Sequence, residues 1–211
     1  MQNTNYPGGR KQICAQEVLR IPRTCRERYL ALDAPHLLPL QEAGIRFSGL
    51  GVLDGGYHIR RFDPRWHSLI YTFEGSGRLE TGGRKHVLHP GTLYIAPAHC
   101  PHEYWIRGRP WKLGWFCLEE RNGFNCMPVE PRVLATASHP LVASVIPQLT
   151  DDPGSASHAQ PAILHDCVHL LLTILRHDTK STLASREQQQ GRRLDAAFLE
   201  VPRAPTLAWP M

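Results

Sequence analysis

The chain has 211 residues, a formal net charge of +5 and a pI near 9.0. This length suffices for one ordinary domain and a small appendage. A domain of this size can bury enough apolar surface to be stable without a disulfide or a metal. Its six cysteines include no C-x-x-C pair and no zinc spacing, which favours reduced thiols in a cytoplasmic protein. The positive charge would assist an approach to nucleic acid, but spread charge alone does not define a nucleic-acid-binding protein.

The N-terminal segment predicts neither secretion nor membrane insertion. Residues 1–16 are polar, contain glycine and lack the apolar stretch of a signal peptide. The chain also has no run of eighteen apolar residues, the length that a membrane-spanning helix requires. We therefore expect residues 1–16 to form a flexible arm.

Short apolar segments separated by Gly or Pro predict an all-β unit, a sandwich or small barrel, within residues 17–130. The sharpest turn signal is the pair Gly82 and Gly83, because glycine accepts the positive φ that a two-residue hairpin demands. A glycine pair flanking Ser76 is also interpreted as a turn, since a strand and not a nucleotide-binding helix follows it. The predicted strands are Arg46–Leu53, Tyr57–Phe62, Ser68–Phe73, Gly77–Thr81, Lys85–Leu88, Thr92–Ala96, Glu103–Arg107 and Trp111–Leu118.

The hydrophobic period becomes helical in residues 131–178. Ser138 is a predicted cap, with Pro140 in the first turn, and Pro147 is expected to kink or end that helix. Pro161 opens a second helix that reaches His177, whose apolar surface is too wide for one contact. One side should cover the barrel and another should meet a second copy of the chain. The residues predicted to form this homodimer interface are Leu164, Cys167, Val168, Leu171, Ile174 and Leu175.

The last segment, residues 179–211, is predicted to be a linker and the start of a further domain. Residues 178–193 are polar and are interpreted as the linker itself. An amphipathic pattern then begins a new helix over Arg193–Val201.

Two motifs carry a resemblance to known families. Gly91, five residues, Pro97, then His99, two residues and His102 resembles the second cupin motif. The segments LIYTFEGSG at 69–77 and WKLGWF at 111–116 are similar to the sensor half of AraC-type transcription regulators. The resemblance implies a cupin-like jelly-roll β-barrel that binds a small effector, followed by an α-helical dimerisation segment. It also implies that DNA is contacted only through a helix-turn-helix domain of which residues 193–211 resemble the beginning.

The resemblance also implies which residues touch the effector. It places an arginine before the first hairpin at Arg60, or at Arg61 if the register slips by one. It places an aromatic residue at Tyr104, the second tryptophan of a W-x-x-x-W pair at Trp115, and His102 inside the barrel. Such a set suits a sugar or another polar metabolite, because arginine donates to oxygens and tryptophan stacks on an apolar face. Leu113, where the sugar sensors have a polar histidine, implies a different or less polyhydroxylated effector.

Metal-dependent cupin chemistry is the alternative from another class, with an isomerase or dioxygenase activity. Catalytic cupins bind a metal through two histidines and a glutamate of the first motif and one histidine of the second, a position that His102 matches. No Glu lies between Gly56 and Phe73, and the histidines there, His58 and His67, are nine residues apart. We therefore predict no metal, no other cofactor and no catalytic residues. A second alternative is a plain dimerisation module whose barrel is filled by its own side chains.

Overall fold

A computed structural model describes residues 17–120, 124, 127–150 and 160–199 of the chain. The predicted arm over residues 1–16 and the end of the last predicted helix lie outside the described residues. The elements in chain order are β1 (Glu17–Arg20), β2 (Arg26–Tyr29), a 3₁₀ turn (Pro35–Leu37), α1 (Leu38–Glu42), β3 (Ile45–Leu53), β4 (His58–Arg61), β5 (His67–Glu74), β6 (Gly77–Thr81), β7 (Arg84–Leu88), β8 (Thr92–Ala96), β9 (His102–Trp105), β10 (Trp111–Leu118), β11 (Arg132–Ala135), α2 (His139–Leu149) and α3 (Pro161–Leu199).

All eight predicted strands form, and β6, β8 and β10 have the predicted bounds to the residue. The hairpin between β6 and β7 turns at Gly82 and Gly83, whose φ angles of 54° and 71° confirm the predicted two-residue turn. Sequence reasoning missed β1, β2, α1 and β11. Each has only four or five residues, too few to establish a period against the surrounding loops.

The strands pair antiparallel in two sheets that lie face to face. Sheet A has the order β1-β4-β9-β6-β7, and sheet B has the order β11-β8-β5-β10-β3-β2. Apart from the β6–β7 hairpin, each step from β3 to β10 crosses from one sheet to the other, which is the connectivity of a jelly roll. The predicted fold class is thereby confirmed, although the described strands form two separate sheets and not one closed barrel.

Sheet B is buried on both faces. Its inner face packs against sheet A through an aromatic and aliphatic cluster that includes Ile70, Tyr94 and the fully buried Trp111. Its outer face packs under the helices, with Leu69 and Phe116 in a second cluster. The turn before β6 depends on the first cluster, since a Cβ at Gly77 would come within 2.4 Å of the Trp111 ring.

The α3 residues predicted to form the dimer interface are buried or partly buried within their own chain. Its side chains Val168, Leu171 and Leu175 are at most 1% exposed in the core of their own chain, and Ile174 is 6% exposed. Leu164 and Cys167 are partly buried against the same core. The structure therefore assigns this face to the core of its own chain, where α1, α2 and the 3₁₀ turn pack against α3. Apolar side chains remain exposed on a different face, at Ile163 and Leu170.

The predicted boundaries after residue 130 also change. Strand β11 lies in the segment predicted to be helical, where it pairs with β8 and extends sheet B. Residues 178–193 are not a linker, because α3 continues through them to Leu199. Three of its sixteen residues are Arg and three are Gln, which favour helix, and the stretch has no proline to end the helix. Helix α2 likewise runs two residues beyond Pro147 before it ends.

A polar anchor joins α3 to sheet B. The carboxylate of Asp178 is buried and accepts hydrogen bonds from three hydroxyls, those of Tyr71 at 2.9 Å, Thr136 at 3.1 Å and Ser138 at 3.0 Å. Tyr71 belongs to β5, and the other two lie between β11 and α2. Ser138 occupies the predicted N-cap position of α2, but its hydroxyl donates a hydrogen bond to Asp178 and does not cap the helix.

None of the described helices is long and apolar enough to span a membrane, and this includes α3 with its 39 residues.

We expect Asp178→Ala to lower the free energy of unfolding by about 3 kcal/mol, because three hydroxyls lose a charged acceptor in a buried site. Urea unfolding followed by circular dichroism measures this loss. The matched control is Asp166→Ala on the same helix, whose side chain is 85% exposed. Its effect should stay within about 0.5 kcal/mol, and equal losses in the two variants would contradict the anchor.

Candidate ligand site between the sheets

Neighbouring strands β4 and β9 direct three polar side chains into the space between the sheets. Arg61 lies opposite His102 in the strand register, and Ile59 lies opposite Tyr104. Arg61 Nη1 donates to Tyr104 Oη at 3.2 Å, and its guanidinium lies 5.7 Å from the centre of the Tyr104 ring. The rings of His102 and Tyr104 stack with centroids 6.1 Å apart. The structure thus brings together three of the five predicted effector residues on sheet A.

Arg60 does not belong to this cluster. Side chains alternate along a strand, so the burial of Ile59 and Arg61 turns Arg60 to the outer face of sheet A. There its side chain is 52% exposed, with Nε 3.3 Å from the Glu103 carboxylate. Of the two arginines left open by the sequence, Arg61 is the inward one.

Sheet B contributes aromatic and hydroxyl groups to the same space. Its inner face carries Ser68 and Trp115, because Ile70 and Leu113, two residues away on the same strands, belong to the inner cluster. Trp66, just before β5, packs in a small cluster with Cys117 and Trp115. The Arg61 guanidinium lies 5.7 Å from the centre of the Trp66 ring, so one side chain of sheet A reaches across to sheet B. Trp115, a predicted effector residue, lies on the same wall.

The two edge strands that sequence reasoning missed close one side of this space. Glu17 of β1 lies 3.3 Å from Arg61 Nε, so the buried positive charge is offset. Glu27 of β2 accepts hydrogen bonds from Tyr29 and Tyr57, each at 3.2 Å. Burial raises the pKa of Glu27, while these two hydrogen bonds lower it. The available signal was the alternation of inward and outward residues in EVLR and RERY, which is weak over four positions.

Four buried polar atoms that face the space have no hydrogen-bond partner among the described residues. They are the indole Nε1 of Trp66, the indole Nε1 of Trp115, Ser68 Oγ and His102 Nε2. A buried polar group without a partner costs about 1–3 kcal/mol, so folded proteins rarely leave several in one place. All four stand on the facing walls of the two sheets, which makes this interior the candidate ligand site.

The tautomer of His102 follows from its one hydrogen bond. Its Nδ1 lies 3.0 Å from the carbonyl oxygen of Cys100, which can only accept, so Nδ1 carries the proton. Burial, reinforced by the nearby Arg61 charge, lowers the pKa of His102 to about 3. The ring is therefore neutral near pH 7, and its unprotonated Nε2 can accept a hydrogen bond.

The histidines that a cupin metal site would need do not converge. His58 lies on the outer face of sheet A, with Nε2 2.6 Å from Glu103 Oε1. His67 accepts a hydrogen bond from the backbone N–H of Ala98 at 2.8 Å, away from His102. Within the described part of the chain, no three His, Cys, Asp or Glu side chains form a group that could hold a metal ion.

Comparisons with solved structures give cupin proteins of low similarity. A cupin superfamily protein from Desulfitobacterium hafniense is 16% identical over 46% of this chain and 79% of its own, with a TM-score of 0.38. The Cupin_2 domain of an XRE family transcriptional regulator from Enterobacter cloacae is 14% identical over 46% of this chain and 98% of its own, with a TM-score of 0.39. A mutant oxalate decarboxylase from Bacillus subtilis is 15% identical over 53% of this chain, which covers 32% of that enzyme, with a TM-score of 0.37. No curated protein matches the chain.

The strand order defines a jelly-roll domain, and its inward-facing polar groups form a candidate ligand site. Residues 49–123 match the family model of the AraC-like ligand binding domain. The matched range includes Arg61, His102, Tyr104 and Trp115, together with the second half of β3 and all of β4 to β10.

We expect His102 to make folding stability fall as the pH decreases below the pKa of an unfolded histidine. The folded pKa is about 3 against an ordinary 6.5, so only the unfolded state takes up the proton between these values. Stability should drop by about 1.4 kcal/mol per pH unit in that window from this group alone. Urea unfolding at several pH values between 7.5 and 4 measures the slope. The His102→Gln variant should have a shallower slope, and equal slopes would contradict the burial of a neutral ring.

Proposed function

We propose that the jelly roll binds a small neutral hydroxylated metabolite, such as a sugar, between its sheets and that the chain is the sensor part of an AraC-type transcription regulator. The single observation that carries this proposal is the set of unpartnered polar atoms on the facing walls of the two sheets. The family of residues 49–123 supports the same conclusion, because its description is a ligand-binding domain.

The polarity of these atoms defines what the ligand must offer. The Trp66 and Trp115 indoles can only donate, so they require oxygen acceptors. The neutral His102 ring offers Nε2 as an acceptor and requires a hydroxyl or amine donor. A hydroxyl group serves both needs, since it donates one proton and accepts through its lone pairs. The indole and phenol rings supply flat apolar surfaces on which the carbon side of a sugar packs.

The charges around the site favour a neutral ligand over an acid. Arg61 already lies 3.3 Å from Glu17, and Glu27 is buried nearby between two tyrosine hydroxyls. A carboxylate ligand would therefore meet one arginine and two glutamates. Burying an additional charge without its own partner is costly, whereas a hydroxyl group carries no such cost.

The two alternatives from the sequence are less well supported. A dimerisation module with a filled interior would leave four buried polar groups unsatisfied, at a cost of about 1–3 kcal/mol each. A metal-dependent enzyme would need a ligand set, but His58 and His67 lie apart from His102. We therefore assign a regulatory role and not catalysis to this domain.

The proposed signal passes through β5. Ser68 on its inner face lies in the ligand site, and Tyr71 on its outer face binds Asp178 of α3. Ligand binding would favour one position of β5, and Asp178 would transmit that preference to α3. The effect is a population shift between two arrangements, whose size equals the difference in ligand affinity between them.

The ligand class is tested by thermal shift against neutral monosaccharides and sugar alcohols, with the matching sugar acids as a comparison. We expect a neutral compound to stabilise the chain, and calorimetry then gives its affinity. Arg61→Gln and Trp115→Phe should each weaken binding by about tenfold or more, because each removes a buried donor. Trp115→Phe keeps an aromatic ring in place and removes the indole N–H.

The matched control is Arg60→Gln, which changes an arginine on the next position of the same strand but on the outer face. Its affinity should equal that of the unmodified chain. A loss of binding in Arg60→Gln with none in Arg61→Gln would place the site elsewhere. Stabilisation by the sugar acids alone would contradict the neutral ligand.

We also propose that the chain forms a homodimer through the exposed side of α3. Ile163 and Leu170 are 50% and 41% exposed and lie seven residues apart, so they occupy one stripe of the helix. The same stripe on a second copy would cover them about a two-fold axis. This stripe replaces the interface predicted from the sequence, whose members lie mostly in the core.

We expect Ile163→Glu with Leu170→Glu to give a folded monomer, because like charges would face each other across the two-fold axis. Sedimentation velocity at tens of micromolar chain measures the oligomeric state. Leu171→Glu is the contrasting variant and should unfold the domain, since Leu171 is fully buried. A dimer that persists in the double variant would exclude this stripe as the interface.

A further inference from the structure

A pair of histidines stands on the exposed side of α3, outside the ligand site. His165 and His169 are four residues apart, and both side chains are exposed. Their Nε2 atoms lie 3.1 Å from each other, and their ring centroids are 4.3 Å apart. In the sequence they form part of the polar face of the helix, and neither the fold nor the proposed function uses them.

The distance between the two nitrogens matches that of two imidazoles on one ion. Zinc lies about 2.0–2.1 Å from a histidine nitrogen, so two nitrogens 3.1 Å apart would subtend an angle of about 98° at a shared ion. This value lies between the angles of octahedral and tetrahedral coordination. The helix holds both rings in this arrangement, since side chains four residues apart lie one above the other on its surface.

A neighbouring carboxylate supports a ligand role. His165 Nδ1 lies 3.4 Å from Asp166 Oδ1, which favours the proton on Nδ1 and leaves Nε2 unprotonated. Metal-binding histidines commonly donate their other N–H to a carboxylate in this way. Imidazole nitrogens suit zinc, nickel and copper, whereas magnesium and calcium prefer oxygen ligands.

We propose that His165 and His169 form a two-histidine site for a divalent transition-metal ion, with zinc, nickel or copper as the candidates. The remaining coordination positions face outward and are open to water or to a second copy of the chain. This surface site lies apart from the space between the sheets, and it revises the expectation of a metal-free chain. It does not depend on the proposed ligand function.

The test uses the full chain, stripped with a chelator and titrated separately with Zn²⁺, Ni²⁺ and Cu²⁺ by isothermal calorimetry. His165→Ala and His169→Ala should each weaken the tightest binding by at least about tenfold, because one imidazole remains. His177→Ala is the matched control on the same helix, where the side chain is 74% exposed, and it should bind like the unmodified chain.

A rescue variant tests the spacing. Combining His165→Ala with Thr173→His keeps the number of histidines and restores a pair four residues apart, at positions 169 and 173. Binding should return in this variant, at either one ion per chain or one ion per two chains. Failure of the rescue, unchanged binding in both single variants, or no binding up to about 1 mM metal would overturn the proposal.

Discussion

The burial of sheet B on both faces is the constraint on which the structure depends. Strand β5 is buried at seven of its eight residues, so neither its inner nor its outer side chains reach solvent. The inner face needs sheet A as a partner, and the outer face needs the helices. A chain that folded only the jelly roll would expose Leu69, Phe116 and the rest of the outer cluster to water. The helices α1, α2 and α3 are therefore part of the same folding unit as the sheets.

Burying a guanidinium between the sheets imposes a second constraint. Arginine keeps its charge in proteins, so Arg61 needs acceptors wherever the fold places it. Tyr104 and Glu17 supply them, at 3.2 Å and 3.3 Å. Because Glu17 belongs to β1, the first described strand is tied to the candidate site by a charged hydrogen bond. The buried Arg61 is therefore stabilised by a residue of the edge strand β1, and β1 is in turn held in place by Arg61.

Sequence patterns predicted those parts of the molecule in which local signals and burial agree. Strand β6 alternates buried and exposed residues, whereas β8 and β10 are mostly apolar. Glycine, proline or a charged residue marks the ends of these strands, so the sequence predicted their limits to the residue. The four-residue edge strands were not, because their formation depends on pairing partners distant in the sequence. For the site, the resemblance supplied Tyr104, His102 and Trp115. Trp66, Ser68, Glu17 and Glu27 required the fold.

The choice between adjacent arginines shows why the remainder could not be predicted. A shift of one residue in strand register exchanges the two faces of a sheet, and Ile59 is the one apolar residue of HIRR that favours an inward Arg61. The pairing of β4 with β1 and β9 decides which arginine faces inward.

The apolar face of α3 presents the same difficulty. Its residues are apolar enough for a partner chain or for the core, and only the position of α2 and α1 shows that the core takes them.

The geometry of α3 explains how a small change in the ligand site could matter at a distance. Between Asp178 and Leu199 the helix continues for about 30 Å, given its rise of 1.5 Å per residue. A tilt of about 5° around the Asp178 anchor would therefore move the end of the helix by about 3 Å. The anchor also connects to β5 through Tyr71, one strand away from the indole of Trp115. If a ligand shifted the two sheets by a few tenths of an ångström, the length of the helix would enlarge that shift at its end.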